Sequence, residues 1–320
     1  MSVRRRDVEL KSKIDSTFFA EWKASWTLRH RRREMIAGYL FLLPALLLFC
    51  IFTFLPMIES FFISFTDMSL NSASTHWVGL QNYALILHSA DFWESFLNTA
   101  VFAIQVLPLN IIISLFLALL VHKKFKGVGF FRTIFYTPVI TSMVAVSVAW
   151  LWLFNPSYGL LNSILADLHL PQQSWLVQPH WSLEVLVLLR VWKGVGSNMI
   201  IFLAGLNSVP TEMLEAAETD GAGRFRRFWS ITWPMLGPTT LYVIVLGTIS
   251  LLQAFTEVYV MTQGGPLETS STVVYLLFQK TFQAFQLGFG SAIAFVLFVV
   301  ILALSMINLV FVQKRLNRAY

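Results

Sequence analysis

The chain has 320 residues, of which 56% are hydrophobic and only 12% charged, and its mean hydropathy is +0.67. Soluble domains carry about 25% charged residues, so this composition excludes one and points to a polytopic membrane protein. The formal charge of +6 admits a nucleic-acid partner by magnitude alone, but its placement along the chain supports only membrane orientation; the single Cys50 excludes an internal disulfide framework.

Residues 1–34 form a basic head with ten Lys and Arg residues. Its stretch FFAEWKASWTLRHRRR (18–33) interleaves aromatics with bases. That pattern suits an amphipathic helix on the inner leaflet, and equally a loosely ordered positive anchor. Six apolar runs follow, at about 36–58, 95–121, 132–154, 183–207, 235–261 and 288–312. Each is near the roughly 20 residues that cross about 30 Å of hydrocarbon. Inside lipid the backbone must bond to itself, so an all-α domain of about six spans is expected over 35–313, with a short tail at 314–320. The first run lacks a small-residue cleavage site and reads as a retained anchor.

Basic residues gather in alternate flanks. Besides the head, they are Lys123, Lys124, Lys126 and Arg132, then Arg224, Arg226 and Arg227, then Lys314, Arg315 and Arg318. The intervening loops 67–93 and 155–180 have none, and 263–285 has only Lys280. The positive-inside rule therefore puts both termini in the cytoplasm of a cell-membrane protein.

Between the fourth and fifth runs lies EAAETDGAGRFRRF (215–228), inside a loop at 208–234. Thr211 is the expected N-cap after Pro210, with Glu212 in the first turn. Gly221 and Gly223 are expected to end the helix and turn the chain. Ala216 and Ala217 are small enough to enter a cleft on a partner, and Glu215, Glu218 and Asp220 can meet bases there. An ordinary amphipathic connecting helix has the same composition.

The stretch LNSVPTEMLEAAETDGAGRFRRFWSITWPMLGP (206–238) resembles the EAA loop of permease subunits of binding-protein-dependent ABC importers. WVGLQNY (77–83), GFFRTIFYTP (129–138) and MTQGGP (261–266) resemble the carbohydrate-uptake branch, of the maltose-type first-permease kind. The resemblance covers about 36–312. It implies the type I importer permease fold, with Glu215, Ala216, Ala217, Asp220 and Gly221 as the coupling helix seated on an ATPase subunit. It also implies four partners: a second permease forming a heterodimer, two ATPase subunits, and an extracytoplasmic solute-binding protein. ATP and Mg would bind the ATPase subunits, and this chain would hold no cofactor and no metal. Consistently, no Gly-Lys dipeptide occurs, so a phosphate-binding P-loop is absent from the sequence. No nucleic acid is expected, and membrane lipid is.

Polar groups inside a membrane are expensive and are functional candidates. Arg190, Lys193, Gly194 and Ser197 share one helical face at i, i+3, i+4 and i+7. Ser250, Gln253 and Glu257 lie at helical spacing in the fifth run. By resemblance both stretches line the substrate path, although the residue types at 190–197 differ from the maltose permease. Trp192 is a candidate for stacking on a sugar ring, or a packing aromatic. Arg190 either serves substrate or pairs with an acid such as Glu257. Two cations in one turn cost roughly 2.5–3.5 kcal/mol each on insertion scales. An anionic substrate, an acidic oligosaccharide such as alginate, gives that cost a purpose. A glycerol-phosphate or a neutral oligosaccharide importer are the alternatives, and an ion-coupled secondary transporter is the rival of another class.

Overall fold

The computed structural model describes residues 32–72, 74–122 and 126–316, with side chains as far as 310. The head at 18–31, Lys123, Lys124 and the tail from 317 lie outside the described residues. Two compact units are present, Met1–Phe62 and Ile63–Tyr320. Every described element of any length is helical, and no strand occurs among the described residues beyond a single bridge between Thr66 and Trp77.

In chain order the helices are α1 (Arg32–Ile63), α2 (Gln81–His88), α3 (Ala90–His122), α4 (Val128–Ile140), α5 (Met143–Leu153), α6 (Leu160–Asp167) and α7 (Pro179–Asn207). They continue with α8 (Thr211–Thr219), α9 (Arg224–Met235), α10 (Gly237–Leu252), α11 (Thr256–Met261), α12 (Val273–Phe278) and α13 (Leu287–Leu316). Helices α1, α3, α7 and α13 are each long and apolar enough to cross a membrane. The pairs α4–α5 and α9–α10 also qualify if each is one span, bent by 96° and 61°.

The expected runs therefore hold as apolar segments, but two of them are not single helices. The third stops at Ile140, passes through extended backbone at Thr141 and Ser142, and restarts at Met143. Pro138 lies just before this break, where it removes a backbone donor and crowds the preceding turn. The fifth ends at Leu252 and restarts at Thr256, and Thr272 Oγ1 donates to the freed Ala254 carbonyl at 2.8 Å. A helix broken in an apolar layer survives only where such partners replace its lost bonds.

Within the second unit, α3 lies along α7. Their contact carries fully buried Phe102, Val106, Leu186 and Leu189 together with Asn110 and Ser114, which donate to the Val191 and Val195 carbonyls. Lipid tails are as apolar as leucine, so burial alone gives little drive here. Close packing at small residues and buried hydrogen bonds do more. Gly196 shows the principle: a Cβ there would collide with the Phe135 carbonyl, so α7 meets the backbone of α4 directly. The helix α7 runs unbroken through Gly194 and Gly196, so these glycines permit close approach and do not loosen it.

Candidate functional site

One face of α7 and one face of α10 enclose a cavity of about 340 Å³, closed at the back by α3. From α7 come Arg190, Lys193, Gly194, Ser197, Asn198 and Ile201, spaced so that all share a stripe. From α10 come Tyr242, Val243, Leu246, Gly247 and Ser250, on the matching stripe. Five of the expected path residues thus line one cavity: Arg190, Lys193, Gly194, Ser197 and Ser250. Trp192, Gln253 and Glu257 do not line it. Trp192 turns to α5, where its ring meets Trp150 at 5.8 Å and 47°. Gln253 caps the end of α10 and is exposed.

Glu257 sits behind the cavity and is 1% exposed. Arg190 Nη1 lies 3.5 Å from its Oε1, and Nη2 donates to Ser250 Oγ and, at 3.3 Å, to the Ser250 carbonyl. Of the two expectations for Arg190, the pairing with Glu257 is present in the structure. A carboxylate this deep needs a counter-charge, because solvation no longer supports it. Lys193 points elsewhere. Its Nζ donates to the carbonyls of Pro138 at 3.0 Å and Thr141 at 2.7 Å, at the break between α4 and α5. Two cations against one carboxylate leave one formal positive charge around the cavity.

Gly194 leaves room for the Asn110 amide, which a Cβ would strike. Asn110 is buried, accepts from Asn198 Nδ2 at 2.8 Å and from Ser114 Oγ at 3.1 Å, and lines the cavity. Ser197 Oγ returns to its own helix, donating to the Gly194 carbonyl at 2.9 Å. The sequence reasoning missed Asn110, Asn198 and Tyr242. Asn198 carried a usable signal, since it lies four residues beyond Gly194 on the same stripe. Asn110 carried a weaker one, as a lone amide in an apolar run.

A second cavity of about 530 Å³ continues the two stripes toward Asn207, lined by Ala204, Gly205 and Ser208 from α7's side and Pro238 and Thr239 from α10's side. The two cavities share Ile201 and Tyr242. The groove therefore ends three residues before Thr211, where the EAA helix begins.

That helix, α8, starts at Thr211 with Pro210 in the capping position, and no side chain caps it. Thr211 is its first residue and not its N-cap, because Pro210 already holds the extended conformation the cap needs. Its end is a Schellman turn: Gly221 N–H donates to the Glu218 carbonyl and Ala222 N–H to the Ala217 carbonyl, with Gly221 at φ +78°. Gly223 is extended and starts α9 instead of ending α8. Glu215, Ala216 and Asp220 are exposed and Ala217 is half-buried. Glu218 forms an ion pair with Arg227 across the two glycines, so one of the three acids is already engaged within the chain.

Residues 110–319 match the family model described as "Binding-protein-dependent transport system inner membrane component". The chain belongs to this family. The ion-coupled secondary transporter falls with that membership, and the protein is an inner-membrane permease component. Among its relatives is YesP of Bacillus subtilis, a probable ABC transporter permease protein, 37% identical over 85% of this chain and 89% of YesP. The trehalose/maltose transport system permease protein MalF of Thermococcus litoralis is 34% identical over 88% of this chain and 96% of MalF. The sn-glycerol-3-phosphate transport system permease protein UgpA of Agrobacterium fabrum is 30% identical over 88% and 96%. In fold the permease matches a chain of a bacterial ABC transporter involved in the import of the acidic polysaccharide alginate. The TM-score is 0.80 and the identity 24%, covering 88% of this chain and 96% of that one.

Proposed function

We propose that this permease imports an anionic saccharide, with an acidic oligosaccharide such as alginate as the first candidate. The observation that carries the reading is the cavity between α7 and α10, with two cations, one buried carboxylate and hydroxyl or amide groups from Ser197, Asn198 and Tyr242. A carboxylate entering a low-dielectric cavity must find positive charge, and the surplus of one supplies it. Sugar hydroxyls meet the neutral donors. Glu215, Ala216, Ala217, Asp220 and Gly221 seat on an ATPase subunit, and Arg190, Lys193, Gly194, Ser197 and Ser250 contact the substrate's route. Trp192, Gln253 and Glu257 act from outside the cavity. The complex includes a second permease, two ATPase subunits that bind ATP and Mg, and the solute-binding protein that delivers the sugar. Both termini are cytoplasmic, by the placement of the Lys and Arg residues.

One observation favours a second reading. The Arg190–Glu257 pair cancels one cation and Lys193 is engaged with backbone, which suits a neutral oligosaccharide such as those named for the Thermococcus relative. The deciding experiment is ATP hydrolysis by the assembled complex with its binding protein. Uronate oligomers should stimulate it more than neutral oligosaccharides of equal length, and Arg190→Gln should remove the preference. Equal stimulation by neutral sugars overturns the acidic reading.

A further inference from the structure

The two carbonyls that accept from Lys193 belong to the broken end of a neighbouring helix. Helix α4 stops at Ile140, and its last carbonyls have no partner within the helix. Pro138 and Thr141 offer two of them to the Lys193 ammonium, at 3.0 and 2.7 Å, and Thr141 Oγ1 bonds the Pro138 carbonyl as well at 2.6 Å. A cation at a helix C-terminus also meets the negative end of the helix dipole. The same ammonium lines the cavity beside Arg190, and so does Val139 from the helix end itself. One charge therefore serves two places: the mouth of a broken span and the wall of the cavity.

We propose that Lys193 is a positioning residue that couples the charge of a bound substrate to the geometry of the α4–α5 break. This rests on the reading of the cavity as a saccharide site. An anionic group in the cavity competes with two neutral carbonyls for the ammonium, and a full negative charge attracts a cation more strongly than a carbonyl dipole does. When the anion wins, the Thr141 carbonyl loses the Lys193 donor and the Pro138 carbonyl keeps only Thr141 Oγ1. The break at Thr141–Ser142, bent by 96° while the ammonium holds it, then takes another angle. A neutral sugar offers the ammonium nothing better than the carbonyls and leaves the break as it is. Gly196 confines the change to the break, since α7 and the body of α4 are packed backbone to backbone at Phe135. Lys193 thus distinguishes substrates by charge.

The test is a distance across the break in the assembled importer. Cys50→Ser removes the only cysteine of the chain, and cysteine-free partner subunits complete the background. Spin labels go on Ile134→Cys in α4 and Val148→Cys in α5, both exposed. The probes are trimannuronate, sn-glycerol 3-phosphate and maltotriose. Expected is one distance without ligand, a shift with either anion, and no shift with maltotriose. Lys193→Met should shift the distance with no ligand present and abolish the response, and Lys193→Arg should restore both. In parallel, Lys193→Met should weaken the response of ATP hydrolysis to the anions roughly tenfold to a hundredfold, the range for a lost charged hydrogen bond. An unchanged distance in Lys193→Met overturns the proposal. So does a wild-type break that moves with neither anion, which reduces Lys193 to a fixed helix cap. Hydrolysis stimulated by the anions over an unmoved break sinks the coupling alone and leaves the acidic-substrate reading standing. Stimulation by maltotriose only removes that reading too.

Discussion

The Arg190 guanidinium stands 3.5 Å from the carboxylate of Glu257, with Arg190 on the cavity wall and Glu257 buried behind it. Glu257 Oε1 makes no hydrogen bond to any group, so Arg190 is its principal compensation. Breaking one side of a buried pair leaves an uncompensated charge and costs roughly 3–5 kcal/mol, while replacing both sides by apolar groups is often neutral. Arg190→Gln should therefore destabilise the assembled complex more than the double variant Arg190→Met/Glu257→Leu. Thermal unfolding of the three proteins measures this. Equal losses in single and double variants would show that the pair does not stabilise the fold.

Gly196 predicts a packing effect separate from chemistry. A methyl group there strikes the Phe135 carbonyl, and overpacking of this kind costs about 1–3 kcal/mol. Gly196→Ala should lower the unfolding temperature of the complex. Gly129→Ala, in the first turn of α4 with open space around it, should not lower it. A melt in which the two variants behave alike contradicts the close approach of α4 and α7.

At Gly221 space is open, but φ is +78°. A left-handed residue costs an ordinary side chain about 1–2 kcal/mol, a branched one more, while asparagine tolerates it. Gly221→Val should disturb the end of α8, and Gly221→Asn should not. Read as the ratio of sugar transported to ATP hydrolysed, Gly221→Val should fall well below wild type and Gly221→Asn should match it. An unchanged ratio in Gly221→Val separates this turn from coupling.

Ile201 and Tyr242 line both cavities, and a bulkier side chain at 242 would stand between them. In the Cys50→Ser background, Ser197→Cys reports on the first cavity and Ser208→Cys on the second. Tyr242→Trp should slow labelling of Ser197→Cys by a membrane-impermeant thiol reagent added from the side of Ser208, without slowing Ser208→Cys. Equal slowing at both positions would place the obstruction elsewhere.

Asp67 supplies a pH dependence outside the spans. Its carboxylate accepts from the His76 backbone N–H at 2.6 Å and contacts the imidazole Nδ1 at 3.1 Å, and these bonds, the backbone one foremost, hold its pKa below the usual 3.8. A depressed carboxylate pKa stabilises the folded turn above pH 3.8 and loses that effect as pH falls through the folded value. The turn closes the Thr66–Trp77 bridge, where Trp77 stacks on Phe65 at 5.4 Å. A fluorine label on Trp77 should report loosening below about pH 3.8, and Asp67→Asn should show the loosened signal at neutral pH. A signal indifferent to both changes would mean that the bridge holds without Asp67.

The apolar runs were legible because a helix in lipid must be long and continuous in hydropathy. The breaks were not. Pro138 sits mid-run, the helix ends two residues past it, and the carbonyls of Pro138 and Thr141 accept from Lys193, a partner 52 to 55 residues away. No local pattern encodes that. The stripe of Arg190, Lys193, Gly194 and Ser197 was readable from spacing and Ser250 on the opposite wall from the resemblance, while Tyr242 and Gly247 needed the packing of α10 against α7. Asn110 reaches the cavity only because Gly194 lacks a side chain, a relationship between two helices that neither stretch shows by itself. The positive backbone angle at Gly221 was expected from a glycine following a short acidic helix. The role of Thr211 was not, because a proline took the position before it.

The division of α7 into two faces bears on how such permeases diversify. Gly196 on one side is fixed by contact with another backbone and admits no larger residue. Positions 190, 193, 197, 198 and 201 on the other side line open volume and meet no backbone in the way Gly196 does. Ser197 and Ile201 can be rewritten singly, while Arg190 must change together with Glu257 behind it and the contact at Gly196 stays constant. Exchange of those five residues and position 257 between relatives, with position 196 untouched, should move substrate preference from one importer to another on the same frame.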